Sequence, residues 1–318
     1  MTLSQLRAFV TVAGTGSVRQ AAARLVVSQP AVSAALSALQ QDLGVPLVAR
    51  EGRGLVLTPA GRVFARYARQ VLGLVEEARV AAAGQLDPEH GRVRLAAVTT
   101  AGEHVLPAFL AAFRARYPQA EVVLEVGNRN RVWELLGFRE VDLAIGGRPP
   151  AHGRFTTLAT RANPLVIVAP AGRSRDGDPT DAVSPRQVSV AQLASEVWLV
   201  REPGSGTRST AEELFEDLGI APPTLTLGSN GAIRESVRAG LGITLISRDA
   251  VARELGRGGL EEWRCQTVPL QRQWHAVGLA GEDLTPTAAL FLAGLVHDFD
   301  DDLTERFAST PVAPATID

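Results

Sequence analysis

The stretch Arg201-Glu202-Pro203-Gly204-Ser205-Gly206-Thr207-Arg208 sets glycines, hydroxyls and arginines directly after an apolar run, 197–200, and at the start of a helical pattern. Amides that open a helix have no intrahelical acceptor, and the positive end of the helix dipole adds to them, so such a segment suits an anion. A Gly-Ser-Gly turn is also an ordinary helix cap, and Arg201 and Arg208 have acids nearby with which to pair. Arg148 follows Asp142-Leu143-Ala144-Ile145-Gly146-Gly147. Its guanidinium could fork onto a carboxylate or phosphate, or cap the Pro149-Pro150 turn through a surface pair.

A second candidate chemistry is polyanion recognition. Residues 1–70 carry eight arginines against Asp42 and Glu51, a net +6, while the other 24 arginines face 32 acids, a net −8. Within the basic segment Gln29, Ser33 and Ser37 recur every four residues, giving one small polar helix face, flanked by Ser28 and Pro30. Such a face enters a DNA groove without obstruction, or is simply solvated.

Composition removes several alternatives. All 32 basic residues are arginine, so a Walker A loop, a pyridoxal-lysine Schiff base and a catalytic lysine are excluded, and no cofactor is called for. The single Cys265 cannot form an intrachain disulfide; it reads as an inert small apolar residue rather than a redox sensor, and a reducing cytoplasm fits best. The five histidines stand too far apart for a local metal motif. The apolar run 288–296 falls short of the ~20 residues that span a bilayer. Ser205 does not sit in Gly-x-Ser-x-Gly, because Pro203 occupies the first glycine position, and no histidine lies close in sequence as a base, so an α/β hydrolase is the lesser reading.

Particular elements must position these groups. Leu3, Leu6, Val10 and Ala13 predict a first helix ending at Gly14-Thr15-Gly16. Ser17 caps a second carrying Val18, Ala21, Ala22 and Leu25. Ser28 caps a third, with Pro30 in its first turn, the inward stripe Val32, Leu36, Leu39 and Leu43, and Gly44 at its end. Two short helices and a tight turn form a helix-turn-helix. Strands at 46–50 and 55–58 make a hairpin wing around Glu51-Gly52-Arg53-Gly54, whose Arg50 and Arg53 would reach flanking phosphates or the minor groove. Behind Thr58-Pro59, apolar residues at Ala60, Phe64, Tyr67, Val71, Leu74, Ala78 and Ala81 alternate at four and three, an unbroken seam over a helix of about 59–85. At 1.5 Å per residue it is ~40 Å long, longer than a small winged domain covers, so pairing with a second copy is the better inference. Asp87-Pro88-Glu89-His90-Gly91 marks a hinge.

These residues resemble the LysR-type transcriptional regulators. The match rests on Leu6-Arg7-Ala8-Phe9, Ser17 with Ala21-Ala22, Leu25-Val26-Val27-Ser28-Gln29-Pro30-Ala31-Val32-Ser33, Leu43-Gly44 and Thr58-Pro59-Ala60-Gly61, in the family's order and spacing. It departs at Val18, where phenylalanine is usual, and at Gln40, where glutamate is common; neither touches the groove face. The resemblance implies an α/β protein with an N-terminal α winged helix-turn-helix (1–58), a dimerising linker helix (59–88) and a two-lobed effector domain (89–307) like the periplasmic solute-binding fold. Lobe I takes about 89–164 and 267–303, lobe II about 165–266, and 308–318 is a mobile tail. A periplasmic binding protein would share the cleft but would need a secretion signal and no basic helix-turn-helix.

Strands alternating with helices beyond the hinge fit that expectation: strands at 93–98, 121–126, 141–145, 165–169, 197–200, 225–227 and 243–246, with helices at 106–117, 131–138, from 207 and at 231–239. Segments near 267–279 and 287–299 return to the first set. If the resemblance holds along the chain, Thr99, Thr100, Asn128, Arg148, Ser205, Gly206 and Thr207 line the cleft as effector contacts. It further implies binding to double-stranded operator DNA as a homodimer or tetramer, without catalysis. Asp142-Leu143-Ala144-Ile145 with Gly147-Arg148-Pro149-Pro150, together with 201–208, looks most like the branch controlling Calvin-cycle (RuBisCO operon) genes. Regulators of sulfur or nitrogen assimilation share similar strings. The implied effector is a small anion: a phosphorylated sugar, a nicotinamide dinucleotide or an oxyanion.

Overall fold

A computed structural model of the chain describes residues 1–52, 54–84, 87–172, 185–296 and 308–309. Three helices, α1 (Leu3–Thr15), α2 (Val18–Leu25) and α3 (Gln29–Leu43), form the N-terminal core. Ser17 and Ser28 each accept the amide three residues on, and Gly16 and Gly44 close their helices in the left-handed region. On α1 the buried residues are Leu6, Ala8, Phe9 and Val12, so the stripe read as Leu3, Leu6, Val10 and Ala13 is rotated; Leu3 is exposed. Phe9 carries the largest apolar area on α1, and centring it in the core turns Leu3 outward.

Strands β1 (Val48–Glu51) and β2 (Gly54–Leu57) pair antiparallel as the wing hairpin, with Arg53 outside the described residues. Gln40, in place of the family's common glutamate, accepts the Leu47 amide at 2.7 Å and that of Val48 at 3.3 Å, fixing the strand entry. Thr58 anchors the other side: its hydroxyl donates to the Pro46 carbonyl at 2.7 Å and accepts the Gly61 amide at 2.9 Å, capping α4 (Pro59–Gly84). A Cβ on Gly61 would overlap the Leu47 carbonyl, so α4 can press on the wing only through glycine. Gly61→Ala is expected to cost about 1–3 kcal/mol, an overpacking penalty. Thermal unfolding followed by circular dichroism checks this, and an unchanged midpoint would contradict the close approach.

Ala65 and Ala68 of α4 are buried against α1–α3 with Leu72 beside them, and the Phe64 ring lies 5.5 Å from Phe9. The packing of the N-terminal unit therefore runs past residue 58, and Phe64, read as a seam residue, packs on that unit's core.

Past a 3-10 turn at Pro88–His90, the chain forms two lobes. The first contains β3 (Arg92–Val98), a π-helical turn Ala101–Val105, α5 (Leu106–Arg116), β4 (Glu121–Gly127), α6 (Arg129–Gly137), β5 (Leu143–Gly146) and β6 (Phe155–Ala162). The second holds β7 (Leu165–Pro170), β8 (Arg186–Gln187), α7 (Val190–Ser195), β9 (Trp198–Val200), α8 (Gly206–Leu218), β10 (Thr224–Thr226), α9 (Asn230–Arg238), β11 (Thr244–Ser247), α10 (Arg248–Gly256) and β12 (Leu260–Arg264). Return strand β13 (Gln273–Leu279), α11 (Pro286–Val296) and β14 (Ala308–Ser309) rejoin the first lobe, whose sheet order is β14-β6-β13-β5-β3-β4. The second lobe has a β11-β7-β12-β8 sheet and a parallel β10-β9 pair. The two crossing segments bind each other, with the Asn163 amide donating to the Arg272 carbonyl and Leu165 pairing with Leu270.

Strands β6, β8 and β12 and helices α7 and α10 escape the sequence reading. In β6, Phe-Thr-Thr-Leu-Ala-Thr-Arg-Ala has no apolar alternation because both faces are only half covered. Ala308 and Ser309 pair with Thr160 and Ala159 of β6, so the tail expected to be mobile from 308 begins as a strand; residues 310–318 lie outside the described ones. On one face of the first sheet Phe113 meets Phe291 edge-on at 5.3 Å; on the other α6 buries Val132, Trp133, Leu135 and Leu136. Trp198 against Phe215, 4.8 Å apart, centres the second lobe.

Candidate functional site

Two surfaces carry the chemistry. On the first, α3 leaves α2 at a break bent by 109°, within the usual range of a helix-turn-helix. Ser28, Gln29, Pro30, Ser33 and Ser37 are all exposed along α3, and Arg50 is exposed on β1. The turn is made by Val26, a β-branched residue held at φ 56° and 90% exposed. That conformation costs an L-residue roughly 1–2 kcal/mol, so the turn is held by its surroundings. The Val27 amide reaching back to the Ala22 carbonyl at 3.0 Å is one such hold.

On α4 the outward face shows Tyr67 (61% exposed), Val71 (44%) and Leu74 (51%), with Ala78 exposed further on. An uncovered apolar ridge of this length is the form of an association surface.

The second surface is an interlobe cleft of about 1020 Å³. Strand β3 runs parallel to β4 and β5, and the carboxyl ends of all three open into the cleft, where doubly wound sheets bind ligands. Thr99 and Thr100 follow β3, Asn128 follows β4, and Arg148 follows β5; Ser205, Gly206 and Thr207 come from the opposite lobe at the start of α8. All seven line this one cleft. Ser205 is buried and makes no side-chain cap bond, so the first-turn amides of α8 are left without one. Arg148 has no ion pair or hydrogen bond among the described residues.

Arg201 and Arg208 take the structural role. Arg201 is buried and binds Glu202 at 2.7 Å and 2.8 Å and Asn230 at 2.7 Å. Asn230 in turn donates to the Thr100 hydroxyl at 2.7 Å, tying the lobes together at the floor of the cleft. Arg208 binds Glu212 at 2.7 Å.

Sequence reasoning missed Arg129, Arg272 and His275. Arg129 sits one residue past the Asn128 cap, with no ion pair or hydrogen bond among the described residues, and burial pushes its guanidinium below the ordinary value. A basic residue in the first turn of a helix, where the dipole disfavours it, was the available signal. Arg272 binds Glu213 across the cleft at 3.0 Å. His275 lies 3.3 Å from the Thr157 hydroxyl, and burial and then Arg148 hold it below the usual histidine range. Cys265 is half-buried beside the second-lobe core, its sulfur 3.5 Å from the Thr267 hydroxyl.

A winged helix-turn-helix joined by a long helix to a two-lobed cleft domain defines a DNA-binding transcriptional regulator. The family models agree. The LysR substrate binding domain matches residues 86–300, and the bacterial regulatory helix-turn-helix protein, lysR family, matches residues 3–62. The chain belongs to the LysR family of transcriptional regulators. Among its relatives is the HTH-type transcriptional regulator CbbR of Xanthobacter flavus, 37% identical over 287 residues, 90% of this chain and 84% of that one. The RuBisCO operon transcriptional regulator of Acidithiobacillus ferrooxidans is 33% identical over 92% of each chain. Of solved structures, the regulatory domain of CcmR from Synechocystis PCC6803, in complex with 2-PG, is 32% identical with a TM-score of 0.56, covering 65% of this chain and 98% of that one.

Proposed function

We propose that the interlobe cleft holds a small anionic metabolite, that its occupancy changes the complex with operator DNA, and that the genes controlled are those of carbon fixation. One observation carries the effector reading: Arg148, without a partner among the described residues, lines the same cleft as the uncapped first turn of α8. Charge and oriented amides on opposing lobes would attract an anion and favour the closed arrangement of both. The 2-PG complex of the CcmR domain supports this chemistry, and the name of the Acidithiobacillus relative supports the pathway.

On this reading the protein works in the cytoplasm as a dimer or tetramer, paired through the Tyr67, Val71 and Leu74 ridge, with α3 and the wing on the operator. Ser28, Gln29, Pro30, Ser33 and Ser37 face the groove, and Arg50 and Arg53 the backbone. It is not an enzyme. Ser205 and His275 share the cleft, but the bond His275 makes is to Thr157, and no carboxylate among the described residues orients it as a base.

Arg148 is an exposed cleft residue, and losing one charge-assisted contact to a ligand costs about 1.5–3 kcal/mol, roughly a tenfold or larger loss of affinity. Arg148→Ala is therefore expected to raise the effector concentration needed for a response by that factor and to leave effector-free operator binding nearly intact. Calorimetric titration with 2-PG, phosphorylated sugars, nicotinamide dinucleotides and simple oxyanions checks the first part. Equal affinity in parent and variant would remove Arg148 from the site. Sequencing the genomic fragments that the purified protein retains checks the pathway, and fragments upstream of sulfur or nitrogen assimilation genes would overturn it.

A further inference from the structure

The effector cleft and the linker helix are joined by one element. Helix α6 has nine residues, ~13 Å at 1.5 Å per residue, and its two ends sit in different places. At its start, Asn128 caps the Arg131 amide at 2.9 Å and Arg129 lines the cleft. At its end, Phe138 and Arg139 lie against α4. A Cβ on Gly73 would overlap the Phe138 carbonyl and lie 2.8 Å from the Arg139 Cβ, the Arg69 guanidinium stands 5.3 Å over the Phe138 ring, and the Gln70 side-chain amide donates to the Gly137 carbonyl at 3.5 Å. Glycine in the middle of a 26-residue helix costs about 1 kcal/mol relative to alanine, and this close approach is what requires it.

The turn after α6 is held from several sides. Arg139 is a non-glycine residue at φ 59°, a conformation that persists only where neighbours fix it. Its carbonyl accepts from Arg94 Nη1 at 3.2 Å, its own guanidinium binds Glu282, and Arg94 is itself locked to Asp142 at 2.6 Å in the lobe interior. The helix between is rigid, with Val132, Trp133, Leu135 and Leu136 all buried against the sheet.

Resting on the cleft reading above, we propose that Arg129 is an effector contact and that α6 carries effector occupancy to the linker helix, with Gly73 and Phe138 as the joint between the sensing and DNA-binding halves. An anion drawn to Arg129 pulls on the first turn of α6. Because α6 and the Phe138–Arg139 turn move as one body, the seat of α4 shifts with them. Such coupling needs an element that both sites bias, and α6 touches both. Gly73 and Phe138 are positioning residues; of the three, only Arg129 touches the ligand.

The test is hydrogen–deuterium exchange of the full chain with and without saturating 2-PG, alongside calorimetry with the same probe. In the parent, 2-PG is expected to slow exchange around residues 98–100, 128–131 and 205–208 and also to change exchange at 69–76. Arg129→Gln should weaken 2-PG by about tenfold or more, the loss of one charge-assisted contact. Gly73→Ala should retain 2-PG affinity within about twofold and protection of the cleft while losing the response at 69–76. Arg69→Ala, which removes the half-buried guanidinium over the Phe138 ring, should blunt the same response without the steric insult. Protection in the cleft of the parent with no change at 69–76 would overturn the proposal and leave the cleft reading standing. No protection in the cleft would overturn both.

Discussion

Ser33→Glu is expected to abolish specific operator binding. Ser33 lies midway along the exposed face of α3, between Gln29 and Ser37, where its small side chain lets the helix approach base edges. A glutamate there sets a carboxylate among phosphates and acceptor-rich base edges, with only the amino groups of cytosine and adenine able to donate to it. A wrong contact costs about 1–3 kcal/mol per site, and a dimer places two copies on the operator, so the loss is on the order of a thousandfold. Ser33→Ala removes one hydroxyl and should lose far less. Gel retardation at fixed salt compares the two, with circular dichroism to show that both fold. Parent-like retardation by Ser33→Glu would take α3 out of the groove.

Replacing Val71 and Leu74 together by aspartate should separate the dimer. Each apolar side chain contributes about 1.5–3 kcal/mol when fully buried, and a two-fold interface repeats both on the partner. The substitution removes that burial and sets like charges against each other across the seam. Folding should survive, because Val71 and Leu74 lie on the exposed face while Ala65, Ala68 and Leu72 hold α4 to its own unit. Multi-angle light scattering should report a monomer, and operator affinity should fall because each half-site must then be bound singly. An intact dimer would place the interface elsewhere.

What the sequence showed and what it hid follow from the range of the forces involved. Ser17, Ser28 and Thr58 could be read as caps because the bonds they make close within three residues. The seven cleft residues could be gathered because each follows a recognisable strand or opens a helix, and the family resemblance supplied the pairing of the lobes. The two faces of α4 could not be separated: Ala65, Ala68 and Leu72 on one side and Tyr67, Val71 and Leu74 on the other share one period, and Phe64 falls between them. Arg129 stayed hidden because the helix was read as starting at 131, which left the arginine in a loop and concealed its unfavourable place in the first turn of α6. The meeting of Gly73 with Phe138 joins residues 65 positions apart, and no local pattern announces such a contact.

On this reading one chain links an anion in the cleft to DNA under α3. Linkage requires reciprocity: if the anion changes operator affinity by a factor, operator changes anion affinity by that same factor. The direct measurement is calorimetric titration of the full-length protein with 2-PG, in the presence and absence of a saturating operator fragment, set beside operator titrations with and without 2-PG. Two equal factors differing from one are expected, in the range of about 5- to 150-fold typical of such coupling. An anion that binds equally well with and without DNA, and leaves operator affinity unchanged, would contradict it.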